Sequence, residues 1–447
     1  MPYTRILKTW WPLAASWLLM GAELPALIAV VARLPDPAIN LAAYGGVVFP
    51  LALIIEAPII MLLAASTALS KDLLSYQLIR RFMMWAGGLL TGLHILVAFT
   101  PLYYFVVETV IGVPQEIVEP ARIGLMIMTP WTWSIAYRRF NQGVLIRFGR
   151  SQTVGVGTVI RLGADLLVLA VGYAIGTIPG IVVATSAVAA GVMCEALYVG
   201  LVVRPVRQGP LKDAPAVTPP LTWQAFRKFY VPLATTSLLM LLANPIGSAA
   251  ISRMPQALNS LAVWPVVTGL IFMLRSLGIA YNEVVVALLD EPHSSLSLQR
   301  FAWILSIINT LILFLVAATP LSILWFGRIS GLPPELAEMA RIGLLFALPL
   351  PALSVMQSWY QGMILFGRQT RGITESVGIY LLTSALILGA GVIIGGFTGL
   401  YIGLLGLVAS VFTQTLWLWL RSQRVWGALQ IRDSIIPALP TSQQSID

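Results

Sequence analysis

Charge, cysteine and histidine are all scarce in this chain, and each scarcity excludes something. Of 447 residues one is a cysteine, Cys194, and two are histidines, His94 and His293. A single thiol excludes an internal disulfide and a cysteine-built metal site. Two imidazoles make a histidine-built zinc or haem centre unsuitable, so no cofactor or metal is expected. Charged side chains make up 10% of the chain, against about a quarter in soluble proteins. Long polar stretches are missing too. The one exception, VRPVRQGPLKDAPAVTPPLTWQAFRK, falls near the middle of the chain and leaves no room for a separate soluble domain.

What fills the chain instead is apolar: 58% hydrophobic residues and a mean hydropathy of +0.87. A bilayer, rather than water, is the solvent this composition suits. Apolar runs at about 11–33, 40–69, 83–107, 122–146, 154–178 and 180–203, then 229–252, 258–289, 301–327, 342–366, 376–395 and 399–420, are each long enough to cross. The expected fold is therefore an all-α integral membrane protein of about twelve helices. Residues 1–203 form a first six-helix lobe, 204–228 a linker, 229–420 a second lobe and 421–447 a tail. Arg5 and Lys8 precede the first apolar run with no clear small-residue cleavage site, which reads as a retained first span rather than a signal peptide.

The net charge of +9 has a membrane explanation before a nucleic-acid one. Arg5, Lys8, Lys71, Arg80, Arg81, Arg147, Arg150, Arg204, Arg207, Lys212, Arg227, Lys228, Arg300, Arg368, Arg371, Arg421, Arg424 and Arg432 lie at the termini or in even-numbered loops. Only Arg33, Arg122, Arg253, Arg328 and Arg341 lie in odd-numbered loops. Eighteen against five puts both termini in the cytoplasm, in what we expect to be a prokaryotic cytoplasmic membrane, with the chain acting as a monomer.

The two halves align. PLAASWLLM from Pro12 matches PLATTSLLM from Pro232, and at the same offset Pro25 matches Pro245, Arg33 matches Arg253 and Pro35 matches Pro255. VPQEIVEPARIGL from Val113 matches LPPELAEMARIGL from Leu332, and FNQGVLIRFGRSQTVG from Phe140 matches YQGMILFGRQTRG from Tyr360. Six spans separate equivalent positions, so both halves enter from the same side and are related by a pseudo-two-fold axis along the membrane normal. That is transporter architecture.

Two superfamilies have a 6+6 layout. The major facilitator type carries a Gly–Asp–Arg–Gly-rich loop between spans 2 and 3, where this chain has SKDLLSYQLIRR. The chain instead resembles the multidrug/oligosaccharide-lipid/polysaccharide (MOP) exporter superfamily, in which a proline-kinked span 1 leads into a long, bent span 2, as AELPALIAVVARLPDPAINLAAYGG does here. Within it the resemblance is to the progressive ankylosis (ANK) family of anion exporters. It rests on LYYFVVETVIGVPQEIVEPARIGLMIMTPWTWSIAYRRFNQGVLIRFGRSQTVGVGTVIRLGADLL, on KFYVPLATTSLLM and on matching hydropathy over nearly the whole chain. It does not extend to the long charged tail of the animal members. The resemblance implies a MATE-like fold and export of small organic or phosphate-bearing anions.

Charges inside apolar runs are costly and usually face protein or a watery cavity. The basic set is Arg138 and Arg139 in span 4, Arg161 in span 5 and Arg275 in span 8. The acidic set is Glu23, Glu56, Asp165, Glu195 and Glu283. Arg161 and Asp165 are four apart and suit an intrahelical ion pair. Arg275 and Glu283 are eight apart and cannot pair directly along a straight helix. Arg138 and Arg139 point about 100° apart, so one can face a cavity while the other packs or snorkels. With Arg275 they are the candidate substrate-binding residues, and the second lobe has Gln357 and Ser358 in place of the pair.

Glu23, two residues before Pro25, is the candidate for proton or Na⁺ coupling, because the proline frees a backbone carbonyl beside it. The alternative is a glutamate satisfied by Tyr, Ser or Arg. The second lobe offers Ala243 and Asn244 there. Glu56, Arg161, Asp165, Glu195 and Glu283 are cavity or structural charges. Gly143, Gly149, Gly362 and Gly367 with Arg150 and Arg368 suit tight cytoplasmic turns bound to lipid headgroups. The tryptophans, among them Trp10, Trp11, Trp417, Trp419 and Trp426, read as an interfacial belt without a substrate role.

The leading function is secondary export of small anions by rocking of two lobes. The alternatives are a flippase for polyprenyl-phosphate-linked saccharides and a cationic multidrug exporter. An enzyme is not expected, since His94 and His293 have no nucleophile motif beside them.

Overall fold

The computed structural model describes residues 1–367 and 371–435, and almost all of them are helical. Arg368 and the end of the tail lie outside the described residues. In chain order the first lobe comprises α1 (Tyr3–Val31), α2 (Pro37–Leu69), α3 (Leu73–Phe99), α4 (Val118–Ile127 with Thr129–Arg147), α5 (Ser151–Ile175) and α6 (Gly180–Gln208). The second comprises α7 (Trp223–Ser252), α8 (Ala257–Leu288), α9 (Ser295–Ala318), α10 (Pro334–Phe346 with Leu350–Phe366), α11 (Arg371–Ile394) and α12 (Gly399–Ile435). The linker between helices is thus shorter than the polar run, at 209–222. The last helix continues well past the membrane-length limit into the tail.

Ten of these helices are long and apolar enough to cross a membrane, and α10, bent by 42°, makes an eleventh. The remaining one, α4, falls short on composition because its second half carries Arg138, Arg139, Asn141 and Gln142. A span that polar is tolerated only inside a bundle, and all but Arg139 of these four are buried. Its bend at Met128 is fastened by His94 of α3, whose ring bonds Thr132 Oγ1 at 2.8 Å and the Leu125 carbonyl at 2.9 Å, one on each side of the break.

The lobes exchange parts. Proline at 25 has no N–H to give the Gly21 carbonyl, and α1 breaks at Ala22. Before the break α1 lies on α8 of the second lobe, with Trp10 Nε1 donating to the Leu277 carbonyl at 3.0 Å; after it α1 returns to α5 and α6. Correspondingly, α7 opens against the first lobe, where Phe226 and Tyr230 meet Phe82 edge to face and the Tyr230 hydroxyl donates to the Pro58 carbonyl at 2.5 Å. In α7 the carbonyl freed by Pro245, that of Leu241, accepts from the Asn244 side chain at 3.3 Å, and this helix runs unbroken. Trp10 therefore belongs to the lobe contact rather than to a lipid belt, whereas Trp11 and Trp419 do face outward.

Helices approach closely where glycine permits. In α2 a π-helical turn, Tyr44–Val48, brings Gly45 against Pro265 of α8: a Cβ on Gly45 would lie 2.6 Å from the proline ring. The expected turn glycines divide. Gly149 is a turn residue with φ of 74°, and Gly367 caps a helix end against Val425. Gly143 and Gly362 lie within α4 and α10 and serve crossings, since a Cβ at Gly143 would sit 2.6 Å from the Leu63 carbonyl of α2 and one at Gly362 2.6 Å from Val285 of α8.

Because backbone stands opposite Gly143, Gly143→Ala forces the helices apart and should lower stability by about 1–3 kcal/mol. Gly155→Ala in α5, where nothing lies within 4 Å, should raise it by about 1 kcal/mol through helix propensity. Thermal unfolding of the purified variants checks the opposite signs.

The loop ahead of α3 is anchored electrostatically. The Asp72 carboxylate accepts from the Ser75 backbone N–H at 2.8 Å and from that of Val217 in the linker at 2.9 Å. Burial raises its pKa, but these bonds outweigh it and hold the group below the usual carboxylate range.

Candidate functional site

A cavity of about 540 Å³ lies between the lobes. From the first lobe it is lined by Glu23, Glu56, Arg138, Arg139 and Arg161, and from the second by Asn244, Arg275, Tyr380 and Ser384. Apolar and aromatic side chains, including Leu27, Tyr44, Phe49, Trp131, Trp264 and Phe272, make up much of the remaining wall. Helices α1, α2, α4, α5, α7, α8 and α11 all contribute, so the site is assembled by the lobes jointly.

The charges of the first lobe form a chain. Arg138 Nη1 donates to Glu195 Oε2, and Gln142 Nε2 donates to the other oxygen of the same carboxylate at 2.8 Å. Arg161 approaches Glu195 at 3.7 Å and binds Glu23 Oε2 at 2.7 Å. Glu195, only 1% exposed on α6, is thus the hub that joins α4 and α5, while Glu23 ties α1 to α5 just beyond its break. Neutralised in this way, Arg138 is neither a snorkelling residue nor a free cation.

Arg161 and Asp165 do not form the intrahelical pair expected from their spacing. The guanidinium reaches sideways to carboxylates on α1 and α6 instead. Asp165 is packed on Gly191 of α6, where a Cβ would lie 1.7 Å from Oδ1, and neither of its oxygens has a hydrogen-bond partner among the described residues. Glu56 is 3% exposed and its Oε2 is likewise unpartnered. Glu283 is corrected as a cavity residue: its side chain is exposed on α8, away from the cavity lining.

Two cavity arginines remain without a carboxylate partner within 4.0 Å among the described residues. Arg139 and Arg275 are both half-buried, and the Nε of each is buried without a partner. They belong to different lobes. Every acidic side chain of the lining comes from the first lobe, so Arg275 is the sole ionic group that the second lobe presents to the cavity among the described residues.

Sequence reasoning missed the aromatic part of the site. Trp131 and Trp264 line the cavity instead of a belt, as do Tyr44 and Tyr380. Position gave no signal for them: Trp131 sits inside its apolar run, but Tyr44, Trp264 and Tyr380 lie within seven residues of the start of theirs.

No protein-family model and no curated protein sequence matches the chain. Solved structures do match it. An inward-facing multidrug resistance MATE family transporter of the MOP superfamily aligns with TM-score 0.62 at 15% identity, over 91% of this chain and 96% of that one. The lipid II flippase MurJ in an inward closed conformation aligns with TM-score 0.65 at 14% identity, over 94% and 90%. A MOP superfamily transporter from Pyrococcus furiosus, described as having a binding pocket of reversed polarity, aligns with TM-score 0.58 at 15% identity, over 94% and 97%. The chain has the fold of these MOP superfamily transporters and of the flippase.

Proposed function

We propose that this protein is a secondary transporter that exports small organic or phosphate-bearing anions by alternating access of its two lobes, with both termini in the cytoplasm. The observation that carries the reading is that Arg139 and Arg275, one from each lobe, line one cavity without a carboxylate partner among the described residues. A half-buried guanidinium without a carboxylate lowers its free energy by binding an anion, and it holds carboxylate or phosphate through paired, charge-assisted hydrogen bonds. The resemblance to the progressive ankylosis exporters supports the same substrate class.

Glu23 is the proposed coupling group for a proton or Na⁺. It stands two residues after the Gly21 carbonyl that Pro25 leaves without its helical partner, at the point where α1 passes between lobes. Arg161 is its counter-ion, so protonation of Glu23 would release the arginine to Glu195 and Asp165.

The test is uptake by proteoliposomes of citrate, pyrophosphate and a nucleotide beside a cationic dye, with and without an imposed ion gradient. Anion accumulation should exceed that of the dye at least tenfold. Glu23→Gln should retain anion exchange and lose gradient-driven accumulation. Transport of the dye in preference to all three anions would overturn the anion reading. The shared fold with a lipid II flippase favours a second reading, lipid-linked saccharide transport, which movement of a polyprenyl-phosphate probe without soluble anion uptake would support.

A further inference from the structure

The two arginines that correspond across the repeat, Arg33 and Arg253, do the same thing in opposite directions. Arg33 follows α1 in the first lobe, and its guanidinium donates to the carbonyls of Arg328 and, at 3.0 Å, Ile329 in the second lobe. Those carbonyls end the π-helical turn Ile323–Ile329. Arg253 follows α7 in the second lobe and donates to the carbonyls of Thr109 at 3.3 Å, Val110 at 2.8 Å and Ile111 at 2.5 Å in the first. Those carbonyls end the π-helical turn Phe105–Ile111. Each guanidinium also holds a carbonyl one turn back on its own helix, Ala29 and Ala249 respectively, which fixes its aim.

The sockets match as closely as the keys. Beyond each turn stands a left-handed glycine, Gly112 with φ of 74° and Gly331 with φ of 73°, and the guanidinium lies directly over it. A Cβ at Gly112 would meet Arg253 at 3.3 Å, and one at Gly331 would meet Arg33 at 2.8 Å. The following connections agree too, with Asp36 at φ of 50° and Gln256 at 55°. The end of a helix carries the negative pole of its dipole and unpaired carbonyls, so a cation there is held without any carboxylate. Both arginines are exposed, and bonds of that kind exchange readily with water.

We propose that Arg33 and Arg253 are paired gating residues, each a key from one lobe seated in a helix end of the other, that hold the lobes together on the face opposite the termini. The proposal rests on the two-lobe transporter reading but not on the substrate. Both bonds must break for that face to part. The duplicated geometry means that one alone still bridges the lobes, so the pair acts as a two-point closure.

The experiment uses the full chain in sealed vesicles, with Cys194→Ser and a reporter Ser384→Cys in the cavity. A membrane-impermeant maleimide is supplied at the loop-bearing face only. Arg33→Ala or Arg253→Ala should raise the labelling rate about threefold, and the double variant at least tenfold, with Arg→Lys at either site intermediate. Arg122→Ala is the control, because Arg122 lies on the same face but bonds only within its own lobe, to the Ala98 and Phe99 carbonyls and the Tyr104 hydroxyl. It should leave labelling unchanged. Equal labelling in wild type and the double variant, with thermal unfolding unaltered, would overturn the proposal, as would an equal rise in Arg122→Ala. If the alanine variants fail to fold, Arg33→Gln and Arg253→Gln carry the same measurement. Absence of anion transport with the labelling shift intact would remove the substrate reading and leave the gate.

Discussion

Arg275→Gln is expected to reduce anion transport by one to two orders of magnitude while leaving the protein as stable as before, or more so. The two halves of that statement have one origin. Arg275 has no carboxylate within ion-pair range, its Nε is buried without a partner, and its side chain makes no hydrogen bond among the described residues. A half-buried cation with a buried, unpartnered Nε carries a desolvation cost that no contact among the described residues returns. Neutralising it removes that cost. A bound carboxylate or phosphate does return it, and a hydrogen bond to a charged group contributes about 1.5–3 kcal/mol, which sets the size of the transport loss. Arg275→Lys should fall between, since an ammonium keeps the charge but not the paired geometry. Uptake and thermal unfolding measured on the same preparations decide the matter. A variant that transports normally and melts lower would show that Arg275 is scaffold.

The opposite pattern is expected at Glu195. Its carboxylate holds Arg138 and Gln142, with Arg161 at 3.7 Å, from a position 1% exposed. Glu195→Leu strands Arg138, itself 5% exposed, and breaking one member of a buried pair costs about 3–5 kcal/mol. Low yield and a much reduced melting temperature should follow. Arg138→Leu in addition should recover most of the loss, because Arg161 keeps Glu23 at 2.7 Å. No recovery in the double variant would mean that the Gln142 or Arg161 contact, rather than the Arg138 pair, holds α4 to α6.

How much of this was legible in the sequence depends on distance along the chain. Spans and repeat are properties of runs of residues, read from hydropathy and from the aligned halves, whereas the helices continue into both ends of the polar run expected as a linker and into the tail. Even α4, too polar in its second half to pass as a membrane helix on composition, was read as an apolar run at about 122–146. The kink at Pro25 was legible because a proline acts on its own helix. Ion pairing was not. Arg161 had one acidic candidate within its own helix and took two from other helices, a choice set by how α1, α5 and α6 are rotated about their axes. The exposed position of Glu283 and the cavity positions of Trp131 and Trp264 depend on the same rotation, which an apolar helix surrounded by lipid does not reveal through amphipathic pattern. The repeat correctly singled out Arg33 and Arg253 as corresponding. It could not say that each would reach into the other lobe.

The contact of Gly45 with Pro265 carries a further consequence. The offset that aligns the two halves makes these residues counterparts, so a residue here meets its own duplicate, as happens only on a two-fold axis. Two separate copies of one half, assembled as a dimer, would have to place identical residues at that point. Two prolines would collide, and two glycines would leave a gap. A knob facing a notch is open only to a chain in which the copies have been fused and have since diverged. Either lobe expressed alone should therefore pair poorly with itself and well with the other, because the self-meeting point of this molecule has become a lock with two different sides.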